Sequence, residues 1–234
     1  MKPLVASFSL FNTWAICPHQ TYRRYIARDL PRQPETPEQK WGNEVHRAME
    51  RRIREKAPLP ENMLSFEPLV APLDAYHVEP EKKLGVTAAG RPCDFFADDV
   101  WLRGVLDAPV LLNRSTVKYH SEVSANEDAN CVMLLDWKTG KPREEPLELE
   151  IGAMVLQAHW PKITRILGAY VWLRENRRGS PHDLSRTDRT WGFAQRTMGE
   201  INDAIEHRHF PKTRGPLCGW CPVTDCEHNR HARY

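Results

Sequence analysis

The stretch Met133-Leu-Leu-Asp-Trp-Lys-Thr-Gly-Lys141 runs from an apolar strand into a Thr-Gly turn. It delivers Asp136 and Lys138 at i and i+2. Alternate strand residues point to the same face, so both side chains enter one cleft. Upstream, Gly104-Val-Leu-Asp107 ends a second apolar strand segment with an acid. Two carboxylates beside an amine suit phosphodiester hydrolysis. Asp107 and Asp136 offer hard oxygen ligands to Mg²⁺ or Mn²⁺, which polarises the phosphoryl oxygen and acidifies a bound water. Lys138 orients that water or offsets charge gathering on the phosphate, and the carbonyl of Trp137 completes the metal shell. Taken alone, the Asp-x-Lys spacing better fits a strand-edge charge pair ahead of a turn.

Working outward, Ser9 to Arg28 reads as a helix capped by Ser9 and broken or kinked at Pro18. Thr36 to Lys56 carries Trp41, Val45, Met49 and Ile53 on one helical stripe and ends at Pro58 and Pro60. Tyr76–Lys83, Arg91–Phe96, Trp101–Leu112 and Val132–Lys138 read as strands. The polar segment from Asn113 to Asn130 lacks periodicity and reads as a long connection. A helix over Glu148–Trp160 and a strand over Arg165–Glu175 follow. An exposed connector over Arg174–Arg189, a helix over Thr197–His207 and a Cys-, Pro- and His-rich tail from Phe210 complete the chain. This order predicts an α/β or α+β core with no internal repeat. One nuclease domain is expected over 1–234, with a helical part to residue 60, a core over 61–175 and a Cys-rich tail over 210–234.

A chain of 234 residues with 41% hydrophobic and 27% charged residues can bury a sizeable core. The formal charge of +2 does not mark a nucleic-acid binder, leaving a local basic patch to do so. Without an apolar span or a secretory leader, the protein is expected in the cytosol, where six cysteines stay reduced unless a metal holds them. Basic residues recur with aromatics at Tyr22-Arg-Arg-Tyr25 and around Trp172, Arg174, Arg177 and Arg178. That is a weak signal for DNA contact, and a solvated Arg-rich face gives the same pattern.

Gly104-Val-Leu-Asp107 followed by Leu135-Asp-Trp-Lys-Thr-Gly-Lys141 resembles the RecB-like branch of the PD-(D/E)XK nuclease superfamily. Gly42-Asn-Glu-Val-His46 is similar to the helix motif whose histidine binds metal in those proteins. The resemblance implies a restriction-endonuclease-like mixed sheet flanked by helices. It also implies DNA cleavage with Mg²⁺ or Mn²⁺, with His46, Asp107, Asp136 and the Trp137 carbonyl as metal ligands and Lys138 as catalytic assistant. Glu50, one turn after His46, reads as a salt-bridge partner for Arg47 or Arg54. Glu79 reads as a solvent-facing strand residue and Asp98-Asp99 as a turn. The family's Gln-x-x-x-Tyr motif is missing: its nearest register is Glu148 to Gly152, and Gln157 has no Tyr four residues on. No role is carried over to that helix.

Cys218-Gly-Trp-Cys221 with Cys226 five residues on is a strong ligand group, because thiolates so spaced converge on one centre. A fourth ligand does not follow from spacing. Resemblance to AddB-type and CRISPR-associated RecB-like nucleases implies Cys17, with a 4Fe-4S cluster joining the chain ends. Zinc, completed by His228 or His231, is the alternative. Cys93 and Cys131 read as buried thiols. The resemblance implies a stand-alone exonuclease acting on DNA ends or single strands in recombination, repair or phage DNA processing. No phosphate loop for a helicase motor is present, so unwinding requires a partner. The rival readings are a zinc-held DNA-binding module without activity and a subunit that works only inside a helicase or adaptation complex.

Overall fold

The computed structural model describes residues 4–31, 34–112, 130–143 and 145–229. The connection expected after Asn113 lies outside them up to residue 129, as does His231. The chain divides into two compact units, Met1–Pro34 with Trp191–Tyr234, and Glu35–Thr190.

The first unit joins the two ends of the chain. Helix α1 (Phe8–Ile16) is capped by Ser7, whose hydroxyl accepts from Leu10 N, two residues ahead of the expected Ser9. Pro18 does end it: α2 (Pro18–Thr21) starts afresh there and widens into a π turn over Tyr22–Ala27. Phe11 meets Phe193 edge-on at 5.6 Å and Tyr22 stacks on Phe210 at 4.6 Å. Arg23 donates to Asp29 and, through one nitrogen, to both oxygens of Asp225. Tyr22 and Arg23 therefore serve internal packing and pairing. Helix α6 (Thr187–Glu206) begins earlier than the expected Thr197. Its first residues, with the buried Thr187 and Thr190, belong to the second unit; here Thr197 is buried with Ala194, Met198 and Ile201, and the threonines conceal the apolar period.

The second unit holds a mixed sheet flanked by helices. Helix α3 (Pro37–Arg54) opens with a complete capping box between Thr36 and Gln39 and with Pro37 at its first turn. A run of short turns, including α4 (Glu67–Val70), leads to β1 (His77–Val78). Strands β2 (Lys82–Val86), β3 (Pro92–Cys93) and β4 (Leu102–Leu106) form an antiparallel three-stranded sheet in the order β3-β2-β4. Strands β5 (Ala108–Leu112), β6 (Asn130–Lys138), β7 (Ile163–Trp172), β8 (Arg177–Arg178) and β9 (His182–Asp183) join β1 in a second sheet. Among the described residues its only parallel pair is β6 with β7, linked by α5 (Leu147–His159).

Alternation sorts the faces. Cys131, Met133, Leu135, Trp137, Leu167, Ala169 and Val171 pack with Val45, Met49 and Ile53 of α3. On the other face a Cβ at Gly152 of α5 would meet Leu106 and Leu134, so this helix lies close against the sheet. The expected strand over Trp101–Leu112 is two strands, because the chain passes from one sheet to the other at Asp107. The expected strand to Glu175 ends at Trp172, and the connector after it contributes the edge strands β8 and β9. Cys131 is buried as expected, whereas Cys93 on β3 is only partly so. Among the described residues no helix is long and apolar enough to cross a membrane.

Arg52, on α3, is buried and grips both Glu67 and Asp74 with its guanidinium. That grip, with Lys56, holds the Asp74 carboxyl well below its ordinary range. A depressed carboxylate stabilises the fold above its unfolded pKa of about 3.9, and that contribution is lost as pH falls through the folded value. Both acids are partly exposed, so Arg52→Ala is expected to cost about 2 kcal/mol at neutral pH and less below pH ~3. Urea titrations at the two pH values measure the difference.

Candidate metal centre

The centre forms where the two sheets part. Pairing of β5 with β6 stops at Ala108 opposite Leu135. Beyond it the Trp137 amide donates to Asp107 Oδ2 at 2.9 Å. The Asp107 carbonyl accepts from Glu81 N at 2.9 Å, extending the β2–β4 ladder by one step. Glu81 adopts a left-handed backbone with φ 53°, unusual for a residue with a side chain.

His46 of α3 reaches across this junction. Its Nδ1 lies 3.1 Å from Glu81 Oε1 and 3.5 Å from Asp107 Oδ1, and its Nε2 lies 3.2 Å from the Trp137 carbonyl. Among the described residues, His46, Glu81 and Asp107 form a group of metal-ligating side chains whose donor atoms all lie within 4.8 Å of one another. Burial opposes a charge on the imidazole. The Glu81 hydrogen bond and the charges of Asp107, Glu81 and Asp136 outweigh it and push the His46 pKa up to about 9. The protonated ring thus sits among donors that would suit a cation.

Asp136 and Lys138 follow on β6. Burial pushes Asp107 up to about 6, eased by His46 and the Trp137 amide. Burial and then the Asp107 charge push Asp136 well above the carboxylate range. Lys138 Nζ lies 2.8 Å from Asp136 Oδ1, a charge contact without hydrogen-bond alignment. Its aligned hydrogen bond goes to Glu148 Oε2 at 2.6 Å. The buried Oδ1 of Asp136 is met by that ammonium charge. Tyr170, opposite Asp136 on β7, brings its ring to 5.3 Å from the ammonium and donates its hydroxyl to the Glu145 carbonyl. Burial works against charge on Lys138, but Asp136 and Glu148 raise its pKa nonetheless.

Of the five residues expected at the site from sequence, His46, Asp107 and the Trp137 carbonyl converge here, while Asp136 lies outside the group of close donors and pairs with Lys138 on the same strand. Glu81 and Glu148 were not expected. Glu81 belongs to the run Glu79-Pro-Glu-Lys-Lys83, and only the β2–β4 register singles it out from Glu79, which pairs with Lys82 and His77. Glu50 pairs with Arg54, and Gln157 bonds Thr187 and the Ile163 carbonyl.

In the first unit, Cys17, Cys218, Cys221 and Cys226 line one cavity of about 270 Å³. Thr213 N and Gly215 N point at the sulfurs of Cys17 and Cys218. Burial, and then the neighbouring Cys17, Cys218 and Cys226, raise the Cys221 thiol. Among the described residues no three of these sulfurs lie within 4.8 Å of one another. Compared with known protein families and with characterised proteins, the chain matches no family and no characterised sequence.

A carboxylate whose folded pKa is raised costs stability once pH exceeds its unfolded value. Without divalent metal, Asp136→Asn is therefore expected to raise the melting midpoint at pH 8, with the gain shrinking towards pH ~4. Calorimetry in a chelating buffer reads both, and an unchanged or lower midpoint at pH 8 contradicts the buried-charge account.

Proposed function

We propose that the chain is a metal-dependent deoxyribonuclease of the RecB-like, restriction-endonuclease-like kind, hydrolysing phosphodiesters at DNA ends or in single strands. The observation that carries this reading is the convergence of His46, Glu81 and Asp107 beside the Trp137 carbonyl, with the buried Asp136 and its partner Lys138 following on the same strand. A carboxylate is tolerated in such a place when a cation completes it. The converging donors fit Mn²⁺ or Mg²⁺: carboxylates from Asp107 and Glu81, the Trp137 carbonyl and one imidazole, which favours Mn²⁺, and Asp136 would join them on release from Lys138. Bound there, the ion would polarise the phosphoryl oxygen and acidify a water.

The chain's own groups supply the rest. His46 would yield its proton when its ring nitrogen takes up a ligand role. Lys138, held between Asp136 and Glu148, faces the negative charge that grows on the phosphate as water adds and the P–O bond breaks. The cysteine cavity supports a 4Fe-4S cluster over zinc. Four thiolates around one zinc stand about 3.8 Å apart, whereas among the described residues no three of these sulfurs come within 4.8 Å of one another, and a cubane spreads its ligands wider.

With Mg²⁺ or Mn²⁺, the protein purified without oxygen is expected to degrade end-labelled DNA, and Lys138→Ala to lose at least about a hundredfold while still folding. Inactivity of the folded, metal-loaded wild type on single- and double-stranded DNA overturns the nuclease reading. Cys221→Ser is expected to lose iron and melt lower. Stoichiometric zinc, or iron retained by the variant, overturns the cluster assignment.

A further inference from the structure

The outer face of the three-stranded sheet leads away from the metal centre. Glu81 and Asp107 pair across β2 and β4, and the same register sets Lys83 against Val105 and Gly85 against Arg103. Leu84, Leu102 and Leu106 are buried on the α5 side. Lys83 is exposed and Val105 is 42% exposed on the other. Arg103 lies four residues before Asp107 along the strand, about 13 Å away.

At the far end the turn after β3 folds back over Gly85, where a Cβ would stand 2.9 Å from the Asp94 carbonyl. This fold-back seats Phe95 against the Arg103 guanidinium, 4.8 Å from the ring centre. It also props Phe96 edge-on to Phe95 at 4.9 Å with 75% of its surface in solvent. A phenylalanine so exposed, braced by a second ring and a stacked arginine, is a ready platform for a planar ligand.

We propose that this face is a track for one unpaired nucleic-acid strand, with Lys83 and Arg103 on its phosphates and Phe96 stacked on a base. The proposal rests on the nuclease reading and names its substrate as a single strand. Charge and shape agree with that occupant. Lys83 stands between the metal centre and Arg103, so the two cations mark a line along which a backbone could pass. Exposed Asp94, Asp98 and Asp99 disfavour a phosphate at the turn and leave its ring to a base. A duplex keeps its bases stacked on one another and offers none to Phe96.

Fluorescence anisotropy with labelled oligothymidylate, and with a duplex of the same length, tests this in EDTA, where cleavage plays no part. The single strand is expected to bind more tightly than the duplex. Phe96→Ala should weaken single-strand binding about tenfold. The double variant Lys83→Ala/Arg103→Ala should reduce the salt dependence by about two phosphate contacts. Wild-type affinity and salt slope in all variants, with unaltered melting, overturn the proposal, as does equal loss on the duplex in Phe96→Ala. Expected binding changes in a protein that cleaves no DNA with Mn²⁺ keep the track and overturn the nuclease reading instead.

Discussion

Two carboxylates buried side by side repel one another, and the second unit is arranged around that repulsion. Asp107 and Asp136 both carry raised pKa values for want of water, and Asp136 is pushed further by its neighbour. The surrounding groups answer with positive charge or donors. His46 comes from α3, the Trp137 amide from β6 and the Lys138 ammonium from two residues beyond Asp136. Glu81 and Glu148 return negative charge at the two ends. A site so balanced is poor for stability, because burial works against each of its charges.

Much of this was legible in the sequence because strand periodicity is short. The run through Asp136 and Lys138 reads as one face of one strand, and it is one. The stripe Val45, Met49, Ile53 located α3, and with it the height of His46 above the sheet. Glu81 was hidden, because a residue's importance there depends on a cross-strand register set by contacts far along the chain. The break at Asp107 was hidden for a related reason: each half is apolar and alternating, and nothing local records that the two halves pair in different sheets. The first half of α6 was missed because threonines occupy its buried stripe.

The cysteines illustrate the opposite case. Cys218, Cys221 and Cys226 announce a ligand group by spacing alone, while Cys17 lies almost the full chain away. The first unit brings it to the same cavity, in a unit whose packing includes Tyr22 on Phe210 and Arg23 on Asp225.

The crossing of the chain at Asp107 makes this residue a seam. Its carbonyl closes the last rung of the smaller sheet, and its carboxylate closes the first open rung of the larger one. The amides of Glu81 and Trp137 are both shielded from solvent exchange by this one residue. Their hydrogen-exchange rates therefore report how often the two sheets part. A cation gripped by Glu81 and Asp107 would slow both, acting as a clasp on the fold as well as a reagent.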